Sequence, residues 1–173
     1  MGMFVGRGRK ARRCYGLDEI ALVPGSVTIN PNDVEIAWEI GGLNFEIPII
    51  AAAMDGVVDT KFAIEMSKLG GFAVLNLEGI QTRYSNPSDI YERISGADKE
   101  SVTQILKEIY QTKINENLIG ERIEQIKKSG GIAAVSTIPQ NADKFGKIAQ
   151  DAGVDLFVVQ STVTTPKHIS SEY

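Results

Sequence analysis

"IPIIAAAMDGVVDTKFAIEM", residues 47–66, changes character halfway along its length. As far as Ala53 it is a continuous apolar run that ends in alanines. From Asp59-Thr60 onward, Phe62, Ala63, Met66 and Leu69 recur at helical spacing. A continuous apolar strand feeding an amphipathic helix is the building unit of a parallel sheet covered by helices. At the junction stand Met54 and Asp55, one soft apolar side chain and one carboxylate at the exit of a core strand spanning about Ile47–Ala53.

The alternation continues down the chain. Gly70-Gly71 closes the helix and "FAVLN" (72–76) reads as a second strand. "IAAVS" (132–136) gives a third, "NADKFGKIAQDAG" (141–153) a helix, and "VDLFVVQ" (154–160) a fourth strand. The intervening 81–129 is polar, carries Pro87 and Gly96, and suggests helices at 99–112 and 117–129. It is an insertion or an unusually long crossover. Upstream, "VEIAWEI" (34–40), Gly41-Gly42 and "LNFEI" form a hairpin signal. The fold class is therefore α/β: about four β/α units after an amino-terminal arm and hairpin. The arm covers 1–13 and the domain 14–173.

Composition narrows the function. With 43% hydrophobic and 23% charged residues, the chain reads as an ordinary folded domain. No apolar run approaches the ~20 residues of a membrane span, and the start lacks the apolar core of a secretory signal. The single cysteine, Cys14, excludes an internal disulfide and argues for a reducing, cytoplasmic setting. Five basic residues (Arg7, Arg9, Lys10, Arg12, Arg13) fall in the arm against a formal net charge of −4. That pattern reads as a solvated, mobile terminal segment, and an acidic body makes nucleic acid a poor partner.

No P-loop, HExxH, CxxC or GxSxG motif occurs, and Gly6-Arg7-Gly8 lacks the remainder of a dinucleotide fingerprint. Neither Cys14 nor His168, the only histidine, has the neighbours that catalysis by such a group requires. What remains is position, because parallel barrels gather their sites at the carboxyl ends of strands. Those ends read Ala52-Ala53-Met54-Asp55, Asn76-Leu77-Glu78, Ser136-Thr137 and Gln160-Ser161-Thr162. Small residues let a ligand approach the backbone, a thioether packs on a flat base, and hydroxyls and amides orient it.

Taken in order, "LDEIALVPG" (17–25), "IPIIAAAMDGVVDT" (47–60), "GGFAVLN" (70–76), "GGIAAVS" (130–136) and "AGVDLFVVQST" (152–162) resemble the amino-terminal part of the IMP dehydrogenase and GMP reductase superfamily. "NLEG" (76–79) is most similar to its CBS-lacking bacterial members. The resemblance implies the amino-terminal half of a TIM (β/α)8 barrel, in an oligomer that is a tetramer in the family. It implies a purine nucleotide substrate, IMP or GMP, and NAD or NADP as cofactor. Hydride would pass at purine C2 through a cysteine thioimidate. Met54 would pack on the purine, and Ala52 stands where a serine contacts the nucleotide. Gln160 and Ser161 stand where an Asp-Ser pair meets the nicotinamide. Leu77 replaces the lysine expected of a GMP reductase, and Gln160 removes a charge. The family's catalytic cysteine follows the sixth strand, so no catalytic residue is assigned, and this chain alone is expected to be inactive. GMP reductase activity in a full-length protein, or a non-catalytic half-barrel that pairs with another chain, are the alternatives.

Overall fold

The structure, a computed structural model, describes residues 3–161. It divides into two units, Met1–Glu35 and Ile36–Tyr173. In the first, β1 (Met3–Val5) and β2 (Arg9–Ala11) pair antiparallel across a turn in which Gly6 and Gly8 take positive φ. Much of the basic arm, read from the sequence as a solvated, mobile segment, is a hairpin, with Lys10 over the Phe4 ring at 5.6 Å. Beyond it the backbone is irregular apart from a single 3-10 turn at Pro31–Asp33, and Leu17, Leu22 and Val23 lie exposed.

The second unit opens with the predicted hairpin, shortened to β3 (Trp38–Ile40) and β4 (Leu43–Phe45). Gly41 and Gly42 both take positive φ, as a tight two-residue turn matched to strand twist requires. Next comes one parallel sheet in the order β5 (Ile50–Ala51), β6 (Phe72–Asn76), β7 (Ala134–Thr137), β8 (Leu156–Val159). The register aligns Val74 with Ala134 and Asn76 with Ser136, and those two β7 residues with Leu156 and Val158. Side chains alternate between the two faces. Ala73, Leu75, Leu77 and Val135 face a helix layer of α1 (Thr60–Lys68), α4 (Glu116–Lys128) and α5 (Pro139–Asp151). Ala63, Ile119, Ile123, Phe145 and Ala149 complete that core. Phe72, Val74 and Ala134 face the other way and pack on Trp38, Leu43 and Phe45 of the hairpin. There the Trp38 and Phe45 ring centroids are 5.0 Å apart, those of Phe45 and Phe72 are 4.9 Å apart, and Trp38 Nε1 donates to the Ile47 carbonyl at 2.9 Å. The arrangement is half of a TIM barrel.

Three expectations change. The first core strand is far shorter than 47–53: only Ile50 and Ala51 pair, with Phe72 and Ala73. Among the described residues it has one neighbour, and Met54 N–H turns back onto the Ala52 carbonyl at 2.8 Å, which ends the ladder. The segment 81–129 holds not two helices but three: α2 (Pro87–Ser95), α3 (Val102–Gln111) and α4. Helix α5 begins at Pro139 rather than Asn141. Both Pro87 and Pro139 occupy the first helical turn, where the missing N–H costs nothing. Arg122 of α4 holds down the loop that follows β6, donating to the carbonyls of Gln81, Tyr84 and Ser85. Among the described residues no helix is long and apolar enough to cross a membrane.

Candidate functional site

Alternation along β6 and β7 decides what reaches the carboxyl end of the sheet. Asn76 and Ser136 continue the face of Val74 and Ala134, above the hairpin-packed core, while Leu77 turns under the helices and is fully buried. Asn76 then works in two directions. Its amide Nδ2 donates to Asp55 Oδ1 at 3.1 Å, and its Oδ1 accepts from Glu78 N–H at 3.0 Å. One side chain thereby ties the Asp55 carboxylate at the exit of β5 to the Glu78 backbone at the exit of β6.

Asp55 is held from three sides. Besides Asn76, its Oδ2 accepts from Ile80 N–H at 3.0 Å and from the Tyr110 hydroxyl at 2.5 Å. Gly79 makes this possible, because a Cβ there would come within 1.8 Å of Asp55 Oδ1. Burial, and then the bond to Asp55, raise the Tyr110 phenol well above its usual range. Tyr110 therefore stays a proton donor at any ordinary pH. The Arg83 guanidinium lies over its ring at 5.6 Å.

Glu78 makes the second knot. It accepts from the Thr137 hydroxyl, from Ile138 N–H at 3.1 Å and from Asn141 Nδ2 at 3.0 Å. It thereby joins the exits of β6 and β7 to the start of α5. Between these strands and β8 opens a cleft of about 740 Å³, lined by Ala53, Asn76, Glu78, Gln140, Gln160 and Ser161, with Ile138 and Pro139 at the helix start. That volume lies within the ~300–1,000 Å³ range of small-molecule sites. Ser136 lies in register with Asn76, and its buried hydroxyl has no hydrogen-bond partner among the described residues.

The sequence-predicted residues divide. Gln160 and Ser161 line the cleft, and Gln160 N–H extends the ladder by donating to the Thr137 carbonyl at 2.8 Å. Ala52 and Met54 lie exposed at the exit of β5 and do not line it. Met54 keeps 53% of its surface open to solvent. Cys14 is exposed in the first unit, and His168 lies outside the described residues. Among the described residues no cluster of histidine, cysteine and carboxylates could hold a metal ion. Tyr110 was not legible beforehand: it sits in an amphipathic helix 55 residues from Asp55, and no local pattern links the two.

Comparison with known proteins bears on the family and the fold. The IMP dehydrogenase / GMP reductase domain matches residues 14–171. An uncharacterized oxidoreductase of Mycobacterium tuberculosis is 37% identical over 97% of this chain and 46% of its own length. An inosine-5'-monophosphate dehydrogenase of Methanocaldococcus jannaschii is 35% identical over 43% of this chain and 15% of its own. A crystal structure of an IMP dehydrogenase/GMP reductase-like protein from Corynebacterium glutamicum superposes with a TM-score of 0.81 at 33% identity. The match covers 97% of this chain and 46% of that one. The chain thus spans about half the length of the curated relatives it matches most fully.

Proposed function

The chain belongs to the IMP dehydrogenase / GMP reductase family, and on that premise we propose that it carries the nucleotide floor of a purine-nucleotide oxidoreductase. The substrate is IMP or GMP, and the hydride partner is NAD. Met54 packs against the purine, with Ala52 admitting the nucleotide beside it, and Gln160 and Ser161 meet the nicotinamide. The single observation that carries this reading is the exit of β5. A methionine 53% exposed, beyond a run of alanines, is an apolar platform left open at the site end of the sheet. Asp55, Gly79 and Asn76 hold the turn that presents it.

Hydride transfer needs the reacting carbons held within ~3–3.5 Å by a preorganised site. In the family reaction a cysteine also bonds to purine C2, and the one cysteine in this sequence, Cys14, precedes the sheet. The 173-residue chain is therefore expected to bind nucleotide without turning it over. The test measures NADH formation with IMP, and NADPH consumption with GMP, using the purified chain and a Cys14→Ser control. Silence in both supports the reading. Turnover abolished in the control would make Cys14 the nucleophile and move the site elsewhere.

A further inference from the structure

Arg122 is a buried cation with no ion-pair partner. It lies in α4 with 7% of its surface exposed, and among the described residues it forms no salt bridge. Buried arginines are ordinarily paired with an acid. This one donates only to neutral acceptors: Nε to the Gln81 carbonyl, Nη2 to those of Tyr84 and Ser85, and Nη1 to Gln125 Oε1 at 3.3 Å. A guanidinium carries five N–H groups, so one hydrogen on Nη1 is left over. Burial pulls its pKa below the ordinary value, outweighing the neighbouring Glu121.

Arg122 lines a cavity of about 210 Å³ where α4 meets the starts of α1 and α2. Lys61, Ser88, Tyr91 and Gln125 share that lining, and several of their donors are unspent. The Tyr91 hydroxyl accepts from Gln81 Nε2 at 3.1 Å, and among the described residues nothing accepts its own proton. Helix α2 has no side-chain cap from Asn86 and no N–H at Pro87, and Ser88 N–H meets no acceptor among the described residues. Asp59 is the one carboxylate lining the cavity, and its Oδ1 is engaged by Phe62 N–H at 2.7 Å as the cap of α1. Asp89, in the first turn of α2, is exposed and does not line it. Two cations against one committed carboxylate leave the lining positive.

We propose that this cavity is an anion site that takes a phosphate group, with Arg122 as its buried counter-charge and the α2 start as its second wall. An oxyanion supplies the acceptors that the Arg122, Tyr91 and Ser88 donors lack, and it gains from the α2 dipole as well. The volume falls below the ~300–1,000 Å³ of sites for whole small molecules, which suits a single tetrahedral group. The cavity shares no lining residue with the strand-end cleft, and the inference does not depend on Met54 meeting a purine.

The test titrates the full 173-residue chain with sodium phosphate at constant ionic strength, with chloride as the control. It is read at the NMR signals of the Ser88 amide and the Arg122 Nε–H. Phosphate is expected to give saturable shifts with a Kd on the order of 1 mM, and chloride none. Lys61→Gln removes an exposed charge and should weaken phosphate about threefold, the scale of one solvent-screened interaction. Ser88→Asp brings a carboxylate to the α2 start, so it should abolish phosphate binding while raising resistance to urea. Arg122 stays unaltered because it also holds the loop after β6, and circular dichroism confirms that both variants fold. AMP separates the two sources of a phosphate group: tighter binding than phosphate assigns it to a nucleotide, equal or weaker binding to the free ion, and both support the site. No saturable phosphate shift, an equal response to chloride, or undiminished phosphate binding in Ser88→Asp each overturns the proposal.

Discussion

Asp55 shows how much of this site is carried by hydrogen-bond geometry. Its carboxylate takes Asn76 Nδ2, Ile80 N–H and the Tyr110 hydroxyl, and Gly79 clears the space it occupies. Replacing Asp55 with alanine strands the N–H of the buried Ile80 as well as the two side-chain donors. A loss of ~2–3 kcal/mol in urea unfolding is expected. Gly79→Ala should cost about the same, because its methyl group would evict the same carboxylate. Since both changes break one contact set, the double variant should cost little more than the worse single one. Additive losses would mean that Gly79 serves something other than Asp55. Position alone made part of this legible: Met54, Asp55, Asn76 and Glu78 stood out in the sequence as strand exits. Their partners did not. Nothing in residues 76–79 says that Glu78 reaches Asn141, or that Gly79 is small to admit Asp55, because both facts belong to contacts between distant segments.

Single elements tell the same story with different residues. The hairpin at 38–45 was readable because Gly41-Gly42 marks its turn, whereas the helix starts at Pro87 and Pro139 were missed, since proline both breaks helices and starts them. The missed helix α2 packs beside α3, and α3 is tied to the strand exits through Tyr110 and Asp55. That tie has a pH signature. Folding raises the Tyr110 phenol above its ordinary value of 10.0, first through burial and then through the Asp55 bond, so folding favours the protonated form. The stabilisation is complete below the ordinary phenol range and is lost as pH climbs from there toward the folded value. Tyr110 is partly exposed, which screens the interaction, so Tyr110→Phe should cost about 1 kcal/mol near pH 7. The gap between the two proteins in urea unfolding should narrow between pH 10 and 11. A gap that stays constant over that interval would detach Tyr110 from Asp55.

At the scale of the molecule, four parallel strands under a helix layer followed from the alternation of apolar strands and amphipathic helices. That pattern alone could not distinguish an open sheet from half a barrel. The distinction came from resemblance, and the superposition on 46% of a related chain agrees with it. Among the described residues β5 and β8 each pair on one side only, and Ile49, Ile50, Val158 and Val159 are 37–54% exposed. The central claim is that the carboxyl end of this half-sheet is a nucleotide floor, and Met54 offers the most direct view of it. The chain has 4 methionines, so methyl-13C labelling gives a spectrum simple enough to assign Met54 by its loss in Met54→Leu. In a titration with millimolar IMP the account predicts a saturable shift of the Met54 methyl, with the Met66 methyl, packed against the helix-side core, left in place. IMP that shifts other methyls and leaves Met54 still, or that moves none, would contradict it.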